Sequence, residues 1–367
     1  MQVLNRSIIY ENPMPQLRSR QSVFPYLCER EDGAILAAHC VGEAFESIDL
    51  ATCLSVSRDG GFTFTYEGPL FSQGQGWGNY SESCKISRLG GSRLAAFGYA
   101  YDRSDSSLPI GNPETGGLLD DVVFLSQSED NGRSWSPWQQ IDCRWGPHAE
   151  ASAPLSVLAD GSWASPITGF ADWQGKYTSR NCGRLLRSSD RGKTWNDDVV
   201  CMAFENDEVT CFEQRLCQLA SGKLVCIGWN ENLRSGERLP NHYTVSTDGG
   251  KSFSSPRSTG IRGQASSICA IGGEKLLALH ALRRDTERPG IYAYVVDLGR
   301  NLWDIEDELI IMEPAAPIVQ DKNMAEIFSF LKFGQPGAIL LKNGKILACH
   351  WRQEHGQYIT AATLISL

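Results

Sequence analysis

Short apolar runs such as Ala34-Ile35-Leu36 and Leu224-Val225-Cys226-Ile227 recur along the whole chain, separated by brief polar or glycine-bearing breaks. Runs of this length bounded by turn residues predict β-strands. Six of the breaks are two-residue hairpin signals, with second glycines at Gly33, Gly91, Gly161, Gly222, Gly273 and Gly344. Tight hairpins favour such pairs because their central residues take positive φ. The glycines are 58, 70, 61, 51 and 71 residues apart, so about six units of one size fill the 367 residues.

A second motif, Ser-x-Asp-x-Gly-x-(Ser/Thr)-(Trp/Phe), follows in four units, at Ser57–Phe64, Ser128–Trp135, Ser188–Trp195 and Ser246–Phe253. Each aspartate comes 26 to 39 residues after its hairpin glycine, which leaves room for further strands before the chain turns again. Asp297-Leu298-Gly299 reads as a degraded fifth copy. The motif has a local use: its carboxylate can accept backbone N–H bonds across a turn while glycine takes the left-handed conformation. These aspartates are therefore read as turn staples rather than catalysts.

Four-stranded units repeated radially make a propeller, and the count predicts an all-β, six-bladed β-propeller occupying residues 1–367 as one domain. Only 23 residues follow Gly344, enough for two more strands but not three. The run Val3–Tyr10 is expected to supply the missing outer strand, closing the last blade and hiding an open sheet edge.

Composition narrows the partners. Lys and Arg number 34 against 43 Asp and Glu, a net charge of -9, and no basic run is present, which argues against a nucleic acid. No apolar stretch is long enough to span a bilayer and no signal-peptide pattern opens the sequence, so a soluble, cytoplasmic protein is expected. The twelve cysteines sit mostly in apolar runs and form no Cys-x-x-Cys, as buried free thiols would. Oligomeric state is not legible.

The spaced Asp motifs in a six-unit chain resemble the sialidase superfamily, the BNR-repeat or Asp-box proteins, over essentially the whole length. The resemblance implies the propeller. It also implies an arginine clamp for a substrate carboxylate, a glutamate in blade four, a catalytic tyrosine at the head of blade six, and a general-acid aspartate after the second strand of blade one. This chain departs from that pattern. Val23 occupies the place of the first clamp arginine, Trp229 that of a second, and Gln335 that of the tyrosine, while the glutamate is kept as Glu213. A sialidase-like protein without sialidase activity is the expectation.

In a blade, the start of the first strand and the end of the second share one face, opposite the Asp motifs. Nine residues before each hairpin glycine stand Phe24, Glu82, Ser152, Glu213, Gln264 and Gln335; two residues earlier stand Ser22, Tyr80, Glu150, Cys211, Arg262 and Phe333. Period-two alternation predicts that both sets point toward the axis. Second-strand ends add His39, Trp229-Asn230, His280 and His350-Trp351-Arg352, and the loop after His39 brings Glu43, Glu46 and Asp49.

Converging carboxylates suit glycoside cleavage, which needs one protonated to donate to the leaving oxygen and one ionised. Glu213, Glu82, Glu150, Glu46 and Asp49 are the candidate catalysts. Tyr80, Trp229, Asn230, Gln264, Gln335, His39, His350, Arg262, Arg283 and Arg352 are candidates for holding a sugar, with the arginines able to meet an acidic one. The competing reading makes the glutamates hydrogen-bonded braces across blades. His39 and His350 read better as hydrogen-bonding wall residues than as metal ligands, and no metal or cofactor is implied. The leading function is a glycoside hydrolase removing a terminal sugar from an oligosaccharide. A lyase, recognised by the ultraviolet absorbance of its unsaturated product, and a non-catalytic glycan-binding propeller are the alternatives.

Overall fold

The hairpin glycines turn the chain where the pattern marks them. In a computed structural model, which describes residues 1–71, 78–177, 179–314 and 331–367, all six have positive φ, from 57° at Gly273 to 89° at Gly222. Each joins the two innermost strands of a sheet. These pairs are Gln21–Glu29 with Ile35–Gly42 in blade one, Tyr80–Gly90 with Arg93–Asp102 in blade two, and Phe212–Gln218 with Leu224–Trp229 in blade four. Blade five pairs Ser266–Gly272 with Lys275–Leu282, and blade six pairs Phe333–Leu340 with Ile346–Glu354. In blade three the inner strand is broken into Ala149–Glu150 and Ser156–Val157, both paired with Trp163–Gly169. Pro154 lies in the break, and proline offers no N–H to a sheet.

Third and fourth strands complete six antiparallel sheets, and among the described residues there is no α-helix. Blade six closes as expected. Its third strand, Gln357–Ser366, pairs with Gln2–Tyr10 in a register running from Gln2 opposite Ser366 to Tyr10 opposite Thr360. The same N-terminal strand reaches blade one, where Ser7 Oγ donates to the Gly61 carbonyl at 3.0 Å. The ring is therefore held shut by chain from both ends.

The Asp motifs act as staples on the hairpin rim. Asp59 Oδ1 accepts the Phe62 and Thr63 N–H groups at 3.0 Å, and its other oxygen accepts the Thr63 hydroxyl at 2.6 Å. Asp130, Asp190 and Asp248 repeat the arrangement. Hydroxyl bonds from Thr63, Ser134 and Thr194, with their backbone N–H bonds, hold Asp59, Asp130 and Asp190 down at about 2. At Asp297 the carboxylate accepts the Gly299 N–H at 2.6 Å.

Between blades the core is apolar and close-packed. Leu36, Val56, Ile86, Leu94, Phe124 and Trp138 interleave blades one and two, with the Phe124 and Trp138 rings stacked at 4.2 Å. Burying each such side chain contributes about 1.5–3 kcal/mol. All twelve cysteines are free, and ten are buried in these cores.

Candidate active site

At the rim away from the hairpins the ring opens into a cavity of about 460 Å³. Of the residues expected there, it is lined by Glu46, Glu82, Glu150, Glu213, Trp229, Gln264, Arg283 and Gln335. Blades one to six all contribute, so the cavity is a property of the closed ring and of no single sheet.

Three inner strands bend as they enter it. Phe24, Glu213 and Gln335 have φ of 57°, 46° and 38°, unusual for residues with a side chain. Strand pairing shifts register at each one, between Val23 and Tyr26, Phe212 and Arg215, and Gly334 and Gly337. These are equivalent β-bulges in blades one, four and six. Bulges re-aim side chains, and a residue held in the left-handed region costs about 1–3 kcal/mol that surrounding contacts must offset.

The offsetting contacts are visible at Glu213. Its backbone N–H donates to Glu150 Oε2 at 2.9 Å, and Glu150 Oε1 accepts the Ser152 N–H at 3.1 Å. Arg215 donates to Ser152 Oγ at 3.0 Å, bracing the same corner. The Glu213 carboxylate, turned into the cavity, accepts the Gln335 amide at 2.6 Å. Blades three, four and six are thus joined through one residue, by its backbone on one side and its side chain on the other.

Burial sets the electrostatics. It lifts Glu82 to about 7, against the pull of the Thr52 N–H and hydroxyl, each 2.5 Å from a carboxylate oxygen. Burial also raises Glu150, opposed by Arg215, and Glu46, opposed by Arg103. Arg283 is lowered to about 10 by burial, with the Glu213 charge acting to keep it cationic. Glu82, raised to about 7, therefore shares the cavity with Glu213, whose carboxylate accepts the Gln335 amide.

The remaining expected residues lie elsewhere. Asp49 accepts Arg20 at 2.9 Å and the Glu43 N–H at 2.9 Å, ordering the loop that carries Glu46 without lining the cavity. His39 is wholly buried between Ser22 Oγ at 2.9 Å and Ser55 Oγ at 3.0 Å. Asn230 is also buried, donating to the Thr210 carbonyl at 2.7 Å and accepting the His242 N–H at 2.9 Å. Tyr80 packs against the core between blades one and two. Arg262 is exposed, because the inner strand of blade five begins only at Ser266 and leaves it in the preceding loop, where it donates to the Arg238 carbonyl. His350 and Arg352 face a separate cavity of about 430 Å³ between blades five and six, where Glu354 accepts the Arg352 Nε at 2.9 Å. Among the described residues no group of three His, Cys, Asp or Glu side chains could hold a metal ion.

The structure also supplies residues that the counting overlooked. Tyr99, Tyr101, Phe45 and Phe170 line the cavity beside Phe24, Phe212 and Trp351. Continuing the second-strand count into blade two would have reached Tyr99; nothing in the local pattern marks Phe45 or Phe170, which come from loops. Where the clamp and tyrosine of sialidases are missing, Val23 is buried against Cys40, Leu50 and Trp351, while Gln335 holds Glu213.

Comparison with known proteins agrees with this architecture. The family model for a BNR repeat-like domain matches residues 112–316, more than half of the chain. Among solved structures, a Dyadobacter fermentans protein of unknown function is 17% identical with a TM-score of 0.76, covering 100% of this chain and 99% of its own. The Hadza microbial sialidase Hz136 is 14% identical with a TM-score of 0.65, over 95% of this chain and 66% of its own. Trypanosoma rangeli sialidase, solved with the inhibitor DANA, is 14% identical with a TM-score of 0.63, over 100% of this chain and 58% of its own. The chain thus spans about two thirds or less of the two sialidases' length. No curated protein matches it.

Proposed function

Because the chain belongs to the BNR repeat-like domain family and shares the sialidase-like ring of six blades, we propose that it is a glycoside hydrolase that removes a terminal sugar from an oligosaccharide. The observation that carries this reading is the pairing of two carboxyl groups from opposite sides of the ring in one cavity. Glu46 comes from blade one and is pushed upward by burial; Glu213 comes from blade four and is fixed by Gln335.

In this reading Glu46 gives its proton to the glycosidic oxygen as the bond from that oxygen to the anomeric carbon breaks. Glu213 stabilises the positive charge developing on that carbon. Water then adds to the carbon and returns a proton to the enzyme. Trp229 and Tyr99 offer flat apolar faces against which a sugar ring can stack.

The test is release of 4-nitrophenol or methylumbelliferone from a panel of terminal-sugar glycosides by the folded protein. Turnover of one substrate should fall about 10²- to 10⁴-fold in Glu213→Gln and in Glu46→Gln. The Glu46→Gln deficit should shrink on substrates with acidic leaving groups, which need less protonation. No release from any member of the panel, or unaltered turnover in Glu213→Gln, would remove the proposal.

A further inference from the structure

The cations around the cavity can each be followed to a partner. Arg284 donates to Glu231 at 2.9 Å and lies over the Trp229 ring, 5.9 Å from its centroid. Arg103 donates to the carbonyls of Glu46 and Leu108. Deeper along the inner strands, Lys85 donates to the Phe24 carbonyl at 2.6 Å and Arg215 to Ser152 and the Gln214 carbonyl. None of these four lines the cavity. Among the described residues Arg283 is the one cationic side chain that does, and it shares the wall with four glutamates.

Among the described residues four side chains on that wall, Ser81, Gln264, Arg283 and Trp351, each keep a donor that is left over, and two of them, Gln264 and Arg283, belong to one blade. Gln264 is 4% exposed and Arg283 6% exposed, yet among the described residues Gln264 Nε2 and Arg283 Nε have no hydrogen-bond partner. They are neighbours in blade five: the Gln264 N–H donates to the Ala281 carbonyl at 3.0 Å, which sets it beside the strand end that Arg283 follows. A buried donor without an acceptor carries its desolvation penalty with nothing in return, so such a pair marks where a ligand oxygen belongs.

Resting on the sugar-cleaving reading above, we infer that Gln264 and Arg283 form a subsite for acceptor oxygens of an uncharged sugar, and that the substrate is a neutral glycoside rather than a uronic or sialic acid. A substrate carboxylate placed here would meet one guanidinium, on which the Glu213 charge already acts, and would enter among Glu46, Glu82 and Glu150. Burial raises all three groups, the behaviour of a poorly solvated site that disfavours a further carboxylate. Hydroxyl oxygens satisfy both blade-five donors without adding charge.

The experiment is binding, not turnover, so that loss of the hydrolase reading leaves this one testable. Neutral monosaccharides and their acidic counterparts, galactose with galacturonate and glucose with glucuronate, together with mannose, rhamnose, fucose and N-acetylneuraminate, are titrated into the full chain by calorimetry. At least one neutral sugar should bind, and its acidic counterpart or N-acetylneuraminate should bind about tenfold or more weaker. Gln264→Leu and Arg283→Met should each weaken the neutral sugar by about fivefold or more; if Arg283→Met does not fold, Gln264→Leu decides. Tighter or equal binding of an acidic sugar, unchanged affinity in the folded variants, or no neutral binding at about 50 mM would overturn the inference.

Discussion

The backbone N–H of Glu213 donates to Glu150 Oε2 at 2.9 Å, across the junction between blades three and four. Both oxygens of Glu150 accept backbone N–H groups, the second from Ser152. This makes Glu150 a positioning residue for Glu213, whose φ of 46° needs such support. In Glu150→Gln one oxygen becomes an NH₂ group facing an N–H, and a donor cannot replace an acceptor there. Turnover should fall about tenfold or more, with the protein still folded. A crystal structure of the variant should show Glu213 leaving the left-handed region. An unmoved Glu213 with full turnover would show that Glu150 does not hold it.

Stability should depend on pH through groups that the fold keeps uncharged. Burial lowers His39, His280 and His350 to about 3. An unfolded chain takes up protons below about pH 6.5 that these side chains refuse when folded. Their contribution is therefore present above that pH and is lost as the pH falls toward 3. Glu82, raised to about 7, works in reverse: its contribution is present below about 4.5 and is lost as the pH rises through 7. Urea melts at pH 7 and pH 5 should show His39→Gln losing less stability on acidification than the parent, by about 1–2 kcal/mol. Glu82→Gln should lose more. Parallel slopes for all three proteins would refute the assignment.

Removing residues 1–10 should open the ring. The outer strand of blade six buries Ile9 and Tyr10, and its loss would bare the edge of Gln357–Ser366. A fall in melting temperature of about 5–15 °C is expected, with aggregation at the exposed edge. An unchanged thermal melt would mean that closure does not depend on this strand.

The fold was legible because turns are local. A hairpin needs positive φ at a fixed place, glycine supplies it, and six such glycines count six sheets. The shortage of residues after Gly344 likewise pointed to the N-terminal strand. The site was legible where the same counting applied, as for Glu82, Glu213 and Gln335. It was not legible at His39 and Arg262. His39 lies on a second strand opposite the Phe24 bulge and is held between two serines, a fate that strict alternation does not foresee. Arg262 was counted as part of a strand that begins four residues later. Phe45 and Phe170 come from loops, whose path depends on contacts between blades.

The pairing of Gln2–Tyr10 with Gln357–Ser366 also sets an order of events. The N-terminal strand leaves the ribosome long before the segment that receives it, and must wait with Ile9 and Tyr10 uncovered while five other sheets assemble. A contact between such remote stretches forms slowly. Closure of this latch therefore comes late in folding, and the interval before it is when this chain is most exposed to association with its neighbours.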